Sequence, residues 1–117
     1  MSAAQHDFLI EQGATFKTTL TYTDNTGTSI DLTGYSARMQ ARVNVSDVSP
    51  IINLSVGSGI DFSNPTSGQF DIEMTAAETA SLNAGQVLKY DLELESPAGV
   101  VIRLLRGTIT VDAEVTR

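Results

Sequence analysis

A row of three carboxylates is the strongest candidate for chemistry in this sequence. Asp91, Glu93 and Glu95 alternate with apolar residues, so a β-strand here would place all three on one face. Carboxylate oxygens suit Ca²⁺, which takes about six to eight oxygen ligands. Carboxylates ~6.8 Å apart along a strand are too widely spaced to complete that shell, and Arg103 is predicted to pair with Glu93. We therefore interpret the row as a solvated outer face and predict no metal site.

The remaining residue types argue against enzyme chemistry. His6 is the only histidine and is predicted to be exposed, which excludes a histidine-centred triad and a multi-histidine metal site. Without cysteine there is neither a thiol nucleophile nor a thiolate metal site. The spacing leaves a paired-carboxylate glycosidase open, but three Tyr, four Phe and no Trp offer few stacking platforms for a sugar. We predict a protein that is not an enzyme, with no catalytic residue and no cofactor.

The net charge of −7 indicates which partners are not expected. Binding to a nucleic acid backbone or to anionic lipid requires clustered Lys and Arg, so we expect neither a nucleic acid nor a membrane as a partner. No apolar run approaches the ~20 residues of a membrane span. The first ten residues, MSAAQHDFLI, lack the basic region and long apolar run of a signal peptide, so we expect synthesis in a cytosol.

Short alternating strands would position these side chains. The 117 residues are predicted to form one domain, residues 1–117, with about eight strands separated by turns every 8–12 residues or so. This spacing is typical of an antiparallel β-sandwich, either Ig-like or jelly-roll-like, and predicts an all-β fold. One short crossover helix is predicted over Thr75–Asn83, because Thr75 and Glu78 have the spacing of a capping box.

The carboxylate row lies in the clearest β-hairpin of the sequence, Lys89–Val111. Pro97-Ala98-Gly99 predicts a three-residue loop, since Pro presets a type I turn and Gly tolerates the left-handed position that closes it. A loop of this length sets the register. The predicted facing pairs are Leu94–Ile102, Leu92–Leu104 and Glu93–Arg103, and the residues predicted to be buried together are Leu92, Leu94, Ile102, Leu104, Ile109 and Val111.

A second loop of the same length is predicted earlier in the chain. Asp24-Asn25-Thr26-Gly27 is a strong turn signal. With Asn25–Gly27 as the loop, Tyr22 would face Ile30 and Leu20 would face Leu32.

The N-terminal residues suggest a contact with another molecule. Residues 1–7 are small and polar and are predicted to form a loose arm. Phe8, Leu9 and Ile10 follow as three consecutive apolar residues, and strand alternation cannot bury all of them on one face, so at least one should point outward. We interpret them as an edge strand or a docking segment for another subunit. An edge strand also offers unpaired amides and carbonyls for sheet extension. Phe8, Leu9 and Ile10 are therefore the candidate interface residues.

Two groups of segments form a recognisable pattern of turns and strand ends. The first group is Glu11–Phe16, Tyr22–Asp24, Gly27, Ile30–Tyr35 and Ala37–Arg42; the second is Tyr90–Leu94, Gly99, Arg103–Gly107 and Val115–Arg117. This pattern resembles small virion proteins of tailed bacteriophages, including the N-terminal domain of the upper baseplate proteins of long-tailed phages. The resemblance covers the chain from Ile10 to Arg117.

The resemblance implies a β-sandwich module that mounts or bridges other virion proteins, in several copies around a symmetric ring or shell. The expected partners are other virion proteins and copies of the chain itself, and the expected location is the virion, assembled in the host bacterial cytoplasm. The resemblance implies no catalytic residues. A tail or baseplate module, a tail adaptor and a capsid decoration protein all stay open. A small carbohydrate-binding module is the competing class, and it should present exposed aromatic side chains.

Overall fold

Nine β-strands make up most of the part of the chain that the structure describes, residues 3–116 of a computed structural model. The only α-helix within those residues is five residues long, and no helix there is long and apolar enough to cross a membrane. A short 3₁₀-helix occupies Pro65–Ser67. The elements are β1 (Ala4–Gln5), β2 (Phe8–Glu11), β3 (Phe16–Thr21), β4 (Ser36–Arg42), β5 (Ile52–Val56), β6 (Gly59–Asn64), β7 (Gln69–Met74), α1 (Ala76–Ala80), β8 (Val87–Glu95) and β9 (Val101–Asp112).

All nine strands belong to one curled sheet of mixed direction. The order is β1-β9-β8-β4-β5-β6-β7-β3, and β2 lies on the same side of β9 as β1. The pairs β1–β9, β2–β9 and β5–β6 are parallel, and the other pairs are antiparallel. The predicted all-β class is therefore confirmed. The antiparallel sandwich is not, because the strands form a single sheet with both kinds of pairing.

The core lies inside the curl and is built from alternate residues of successive strands. In β4, for example, Ala37, Met39 and Ala41 are buried while Arg38 faces outward, as the alternation predicted. The fully buried large side chains are Ile10, Leu32, Ile60, Phe70, Ile72, Leu88, Leu92, Leu94, Ile109 and Val111, with Thr79 as a buried polar residue.

The β8–β9 hairpin has the predicted loop and one unpredicted irregularity. Ser96 N–H donates to Val100 O over 2.9 Å, and Gly99 has φ +86°, as a three-residue loop requires. The pairs Leu94–Ile102 and Glu93–Arg103 are confirmed. Leu92 faces Leu105, so the predicted Leu92–Leu104 pair is wrong, because Leu104 is the extra residue of a β-bulge. Ile102 and Leu104 are only half-buried, so the predicted burial is wrong for these two, whereas Leu92, Leu94, Ile109 and Val111 are buried as predicted.

The register predicted for the second loop is correct next to the loop and wrong farther along the chain. The Asp24 carboxylate accepts hydrogen bonds from the Thr26 hydroxyl and from the N–H groups of Thr26 and Thr28, and these bonds lower its pKa. Ile30 N–H donates to Tyr22 O over 2.9 Å, as the register predicted. The predicted Leu20–Leu32 pair does not form. Instead, Leu20 faces Phe70 of β7, and Leu32 N–H donates to Pro65 O.

Helix α1 begins with the predicted capping box and ends earlier than predicted. Glu78 N–H donates to Thr75 Oγ1 over 3.1 Å, and the Glu78 carboxylate accepts from Thr75 N–H over 2.9 Å. The helix covers Ala76–Ala80 rather than continuing to Asn83. Leu82, two residues after the end of the helix, is buried in the core, so the chain turns inward where further helix was expected.

Candidate interaction surface

The N-terminal segment is held along the outer edge of β9. Ala4 faces Leu105 and Phe8 faces Ile109, so β1 and β2 share one register and form a single interrupted strand. The sequence predicted a loose arm over residues 1–7, but β1 is paired and His6 N–H donates to Arg106 O over 2.9 Å. The interpretation as an arm is therefore wrong for β1. Met1 and Ser2 lie outside the described residues.

Between β1 and β2, hydrogen bonds from side chains take the place of the backbone hydrogen bonds of the ladder. Thr108 N–H donates to the Asp7 carboxylate over 2.9 Å, which lowers the pKa of Asp7. The Tyr90 hydroxyl donates to His6 O over 2.6 Å. A Cβ atom at Gly107 would overlap the His6 carbonyl, so the missing side chain allows the close approach of these strands. The segment is thus attached by contacts specific to these residues.

Aromatic packing fixes the inner face of β2. The Phe8 ring is 5.3 Å from Tyr90 and 5.7 Å from Phe16 of β3, centroid to centroid. The His6 ring lies edge-on to Phe8 at 4.6 Å while its own side chain stays exposed, as predicted. Burial raises the pKa of Tyr90, because the hydroxyl loses water that would stabilise its ionised form. Phe8 therefore belongs to the core, and the strand cannot leave without opening it.

The turn after β2 is fixed by helix α1. The buried Thr79 hydroxyl accepts from Gly13 N–H over 3.0 Å and donates to Ala14 O over 2.8 Å. The Gln12 side-chain amide donates to Leu82 O over 2.9 Å and accepts from Glu114 N–H over 3.0 Å. Both ends of β2 are consequently attached to the rest of the fold.

Leu9 is the candidate interface residue that points outward. Phe8 and Ile10 are buried, whereas Leu9 is 58% exposed. The prediction that at least one of the three apolar residues faces outward is confirmed, as is the edge-strand interpretation. Of the three predicted interface residues, two therefore belong to the core and one lies on the surface. A role in docking stays a prediction.

The other side of β2 has open backbone groups. His6 and Gln12 donate their N–H groups to β9, and the residues that bond to a given neighbour alternate along a strand. By that alternation, the N–H and C=O of Leu9 and the N–H of Glu11 point away from β9. Among residues 3–116, β9 is the only strand that pairs with β2. This side of the sheet is an open edge, and we call it the β2 edge.

Leu9 continues into a row of uncharged side chains on the outer face. It faces Thr110 of β9, which in turn faces Val87 of β8, and Val87 is also half exposed. Beside this row, Glu11 faces Asp112, so two exposed carboxylates are neighbours near the end of the edge. A separate set of exposed apolar residues lies at the ends of β4 and β5 and in their connection: Val43, Val45, Val48 and Ile51.

The carboxylate row of β8 is paired with arginine. The Glu93 carboxylate is 2.7 Å from Arg38 Nε, and Glu95 is 3.9 Å from the same guanidinium. Arg103 faces Glu93 across the sheet but makes its ion pair with Asp91, at 3.4 Å, so the predicted Glu93–Arg103 ion pair is wrong. Between residues 3 and 116, no group of three or more acidic or histidine side chains is placed to hold a metal ion.

One surface depression is acidic. It has a volume of about 520 Å³ and lies beside β3, β6, β7 and α1. Four carboxylates and one ammonium group line it, so it would repel anions such as phosphate; they are Asp61, Asp71, Glu73, Glu78 and Lys17.

No protein-family model matches this chain, and no curated protein gave a match. The assignment to tailed-phage virion proteins therefore stays a prediction from the segments quoted above.

Proposed function

We propose that this chain is a non-enzymatic structural component of a tailed-phage virion, a tail, baseplate or adaptor module that mounts or bridges other virion proteins. The β2 edge is the observation that supports the proposal most. It combines open backbone donors and acceptors with an outward Leu9, which suits a protein that works by docking. The chain would act in several copies within a symmetric assembly.

The sandwich form of such a module is also part of the proposal. In this chain the two ends of the curled sheet would act as the facing layers. Phe8 of β2 and Phe16 of β3, which come from those two ends, contact each other across the core. The contact supports a sandwich-like module without requiring two separate sheets.

The proposal is tested on phage particles. We expect mass spectrometry of density-gradient-purified particles, from the host culture that makes this chain, to detect it in a fixed ratio to the other virion proteins. Electron microscopy with an antibody against the chain would then show whether it lies on the tail or on the head, which separates a tail module from a capsid decoration protein. Absence of the chain from particles that are otherwise complete would refute the proposal.

The carbohydrate-binding alternative has less support from the surface. A sugar platform needs an exposed aromatic face. All seven aromatic residues belong to the core or pack against it: Phe8, Phe16, Tyr22, Tyr35, Phe62, Phe70 and Tyr90. We therefore rank the docking module above the glycan binder.

A further inference from the structure

We propose that the β2 edge binds an extended segment of a different polypeptide, one that places a basic, an apolar and a second basic side chain at alternate positions on its outer face. This inference deepens the docking role and rests on it for the existence of a protein partner. It names the edge, the mode of binding and the chemistry of the partner.

The backbone determines the mode of binding. Leu9 offers both its N–H and its C=O on the open side, and Glu11 offers its N–H, whereas Glu11 O is already taken by Ala14 N–H at 3.1 Å. These groups match one short stretch of a β-ladder. An added strand would therefore pair most closely around Leu9, and the turn at residues 12–15 would limit it at one end.

The outward side chains determine the chemistry of the partner. Leu9 and Glu11 share the outer face of β2 by alternation. Asp7 lies between β1 and β2 and is also exposed; its Oδ1 accepts from Thr108 N–H and from the Gln5 side-chain amide, which leaves its second oxygen for a partner. The backbone N–H of Thr108 lowers the pKa of Asp7 and so keeps that carboxylate ionised. Two cations of this chain lie on the same outer face. Arg106 of β9 faces Gln5 of β1 on one side and Asp91 of β8 on the other, and Lys89 of β8 faces Thr108 of β9, so β9 separates Lys89 from the edge. A strand opposite this pattern gains most from an apolar residue flanked by two cations.

The same pattern disfavours a second copy pairing through its own β2. In an antiparallel pair with Leu9 opposite Leu9, Asp7 of each copy would face Glu11 of the other. Like charges directly opposite each other destabilise a sheet. Moving the register by two places Leu9 opposite Glu11 and loses the apolar contact. The net charge of −7 on each copy adds a longer-range repulsion.

The test uses two synthetic peptides that differ only in charge, acetyl-TKVLVKT-amide and acetyl-TEVLVET-amide. Each is titrated into the ¹⁵N-labelled full chain at low salt and followed by NMR. We expect the lysine peptide to shift the amide signals of Leu9 and Glu11 and to bind about tenfold more tightly than the glutamate peptide, because two cross-strand pairs change from opposite to like charge. Failure of both peptides to bind, equal binding, or shifts confined to the loop between β4 and β5 would overturn the inference.

Two variants connect the binding to the edge. Leu9→Pro removes an N–H that points away from β9, so it should weaken the lysine peptide at least tenfold while the spectrum stays that of a folded protein. Leu9→Ala keeps the N–H and trims only the side chain, so it should weaken the lysine peptide less than Leu9→Pro does. Glu11→Lys should weaken the lysine peptide and strengthen the glutamate peptide. Unchanged binding in both Leu9→Pro and Glu11→Lys contradicts the inference.

The result can be separated from that of the virion assay. Analytical ultracentrifugation of the full chain, with and without Leu9→Pro, identifies a second copy as the occupant if association is concentration-dependent and lost in the variant, and that outcome defeats the inference. A chain that is present in particles but shows no peptide preference defeats the inference alone. A clear peptide preference in a chain absent from particles defeats the virion assignment alone.

Discussion

At the scale of single residues, the hydroxyl of Tyr90 connects the link between β1 and β2 to the body of the fold. It donates to His6 O over 2.6 Å from a side chain that is otherwise buried. We expect Tyr90→Phe to lower the free energy of unfolding by about 0.5–1.5 kcal/mol, since one buried hydrogen bond is lost. Hydrogen exchange at His6 and Thr108 should speed up more than exchange elsewhere. Tyr35→Phe, whose hydroxyl makes no hydrogen bond among residues 3–116, is the matched control and should change little.

The same residue predicts a dependence on pH. The pKa of Tyr90 is raised above the ordinary 10.0 by burial, so the unfolded chain loses the proton first as pH rises. Stability from this residue is therefore complete below pH ~10 and falls above it, by up to about 1.4 kcal/mol per pH unit. In urea melts from pH 8 to 11, the difference between the wild type and Tyr90→Phe should shrink. A difference that stays constant across that range contradicts the prediction.

Gly107 is the second residue on which the N-terminal segment depends. A methyl group there would overlap the His6 carbonyl, so the strands must move apart. We expect Gly107→Ala to cost about 1–3 kcal/mol in denaturant melts, as for other overpacked sites. The neighbouring change Thr108→Ala keeps the backbone N–H that binds Asp7 and should cost much less. Equal losses in the two variants would show that the close approach is not what matters.

At the scale of elements, the β9 bulge determines how much each leucine of the hairpin contributes to stability. Leu92 is fully buried, whereas Leu104 is the extra bulge residue and only half-buried. We expect Leu92→Ala to cost about 2–5 kcal/mol and Leu104→Ala clearly less, because a partly exposed side chain leaves a smaller cavity. Denaturant melts of the two variants make the comparison. A Leu104→Ala loss as large as that of Leu92→Ala would place Leu104 in the core.

Local sequence signals predicted the elements well wherever the cause of a structure is local. The capping box at Thr75 and Glu78 and the loop at Pro97-Ala98-Gly99 both depend on neighbours a few residues apart, and both form. The bulge was missed although it has a signal. The inward residues change from even to odd numbers at the adjacent pair Leu104-Leu105, and a change of parity within one strand requires an extra residue.

At the scale of the whole molecule, pairing between distant strands escaped prediction. Alternation predicted that at least one of Phe8, Leu9 and Ile10 faces outward, and in the structure Leu9 does so. It contains no information on which strand lies alongside or in which direction. The parallel position of β1 and β2 beside β9 therefore could not be predicted, and neither could the open edge that makes Leu9 a candidate. The Tyr90–His6 bond joins residues 84 positions apart and has no sequence signal.

That position makes the N-terminal segment part of the folding unit. Phe8 is 8% and Ile10 is 1% exposed, so deletion of residues 1–10 removes two core side chains together with their ladder bonds. Burial of each contributes about 1.5–3 kcal/mol, a large share of the stability of a small domain. We expect the truncated chain to lose its cooperative thermal transition in circular dichroism. Deletion of residues 1–3, which precede β1, should preserve it.

The parallel ladder between β2 and β9 also determines an order of events during synthesis. The strand that pairs with β2 lies about a hundred residues later in the chain, since Thr108 binds Asp7 across a separation of 101 residues. Phe8 and Ile10 therefore stay exposed for most of the time that the chain is being translated. Closing such a distant contact is a slow step in folding. Until β9 has been synthesised, neither β1 nor β2 has its partner strand within the chain.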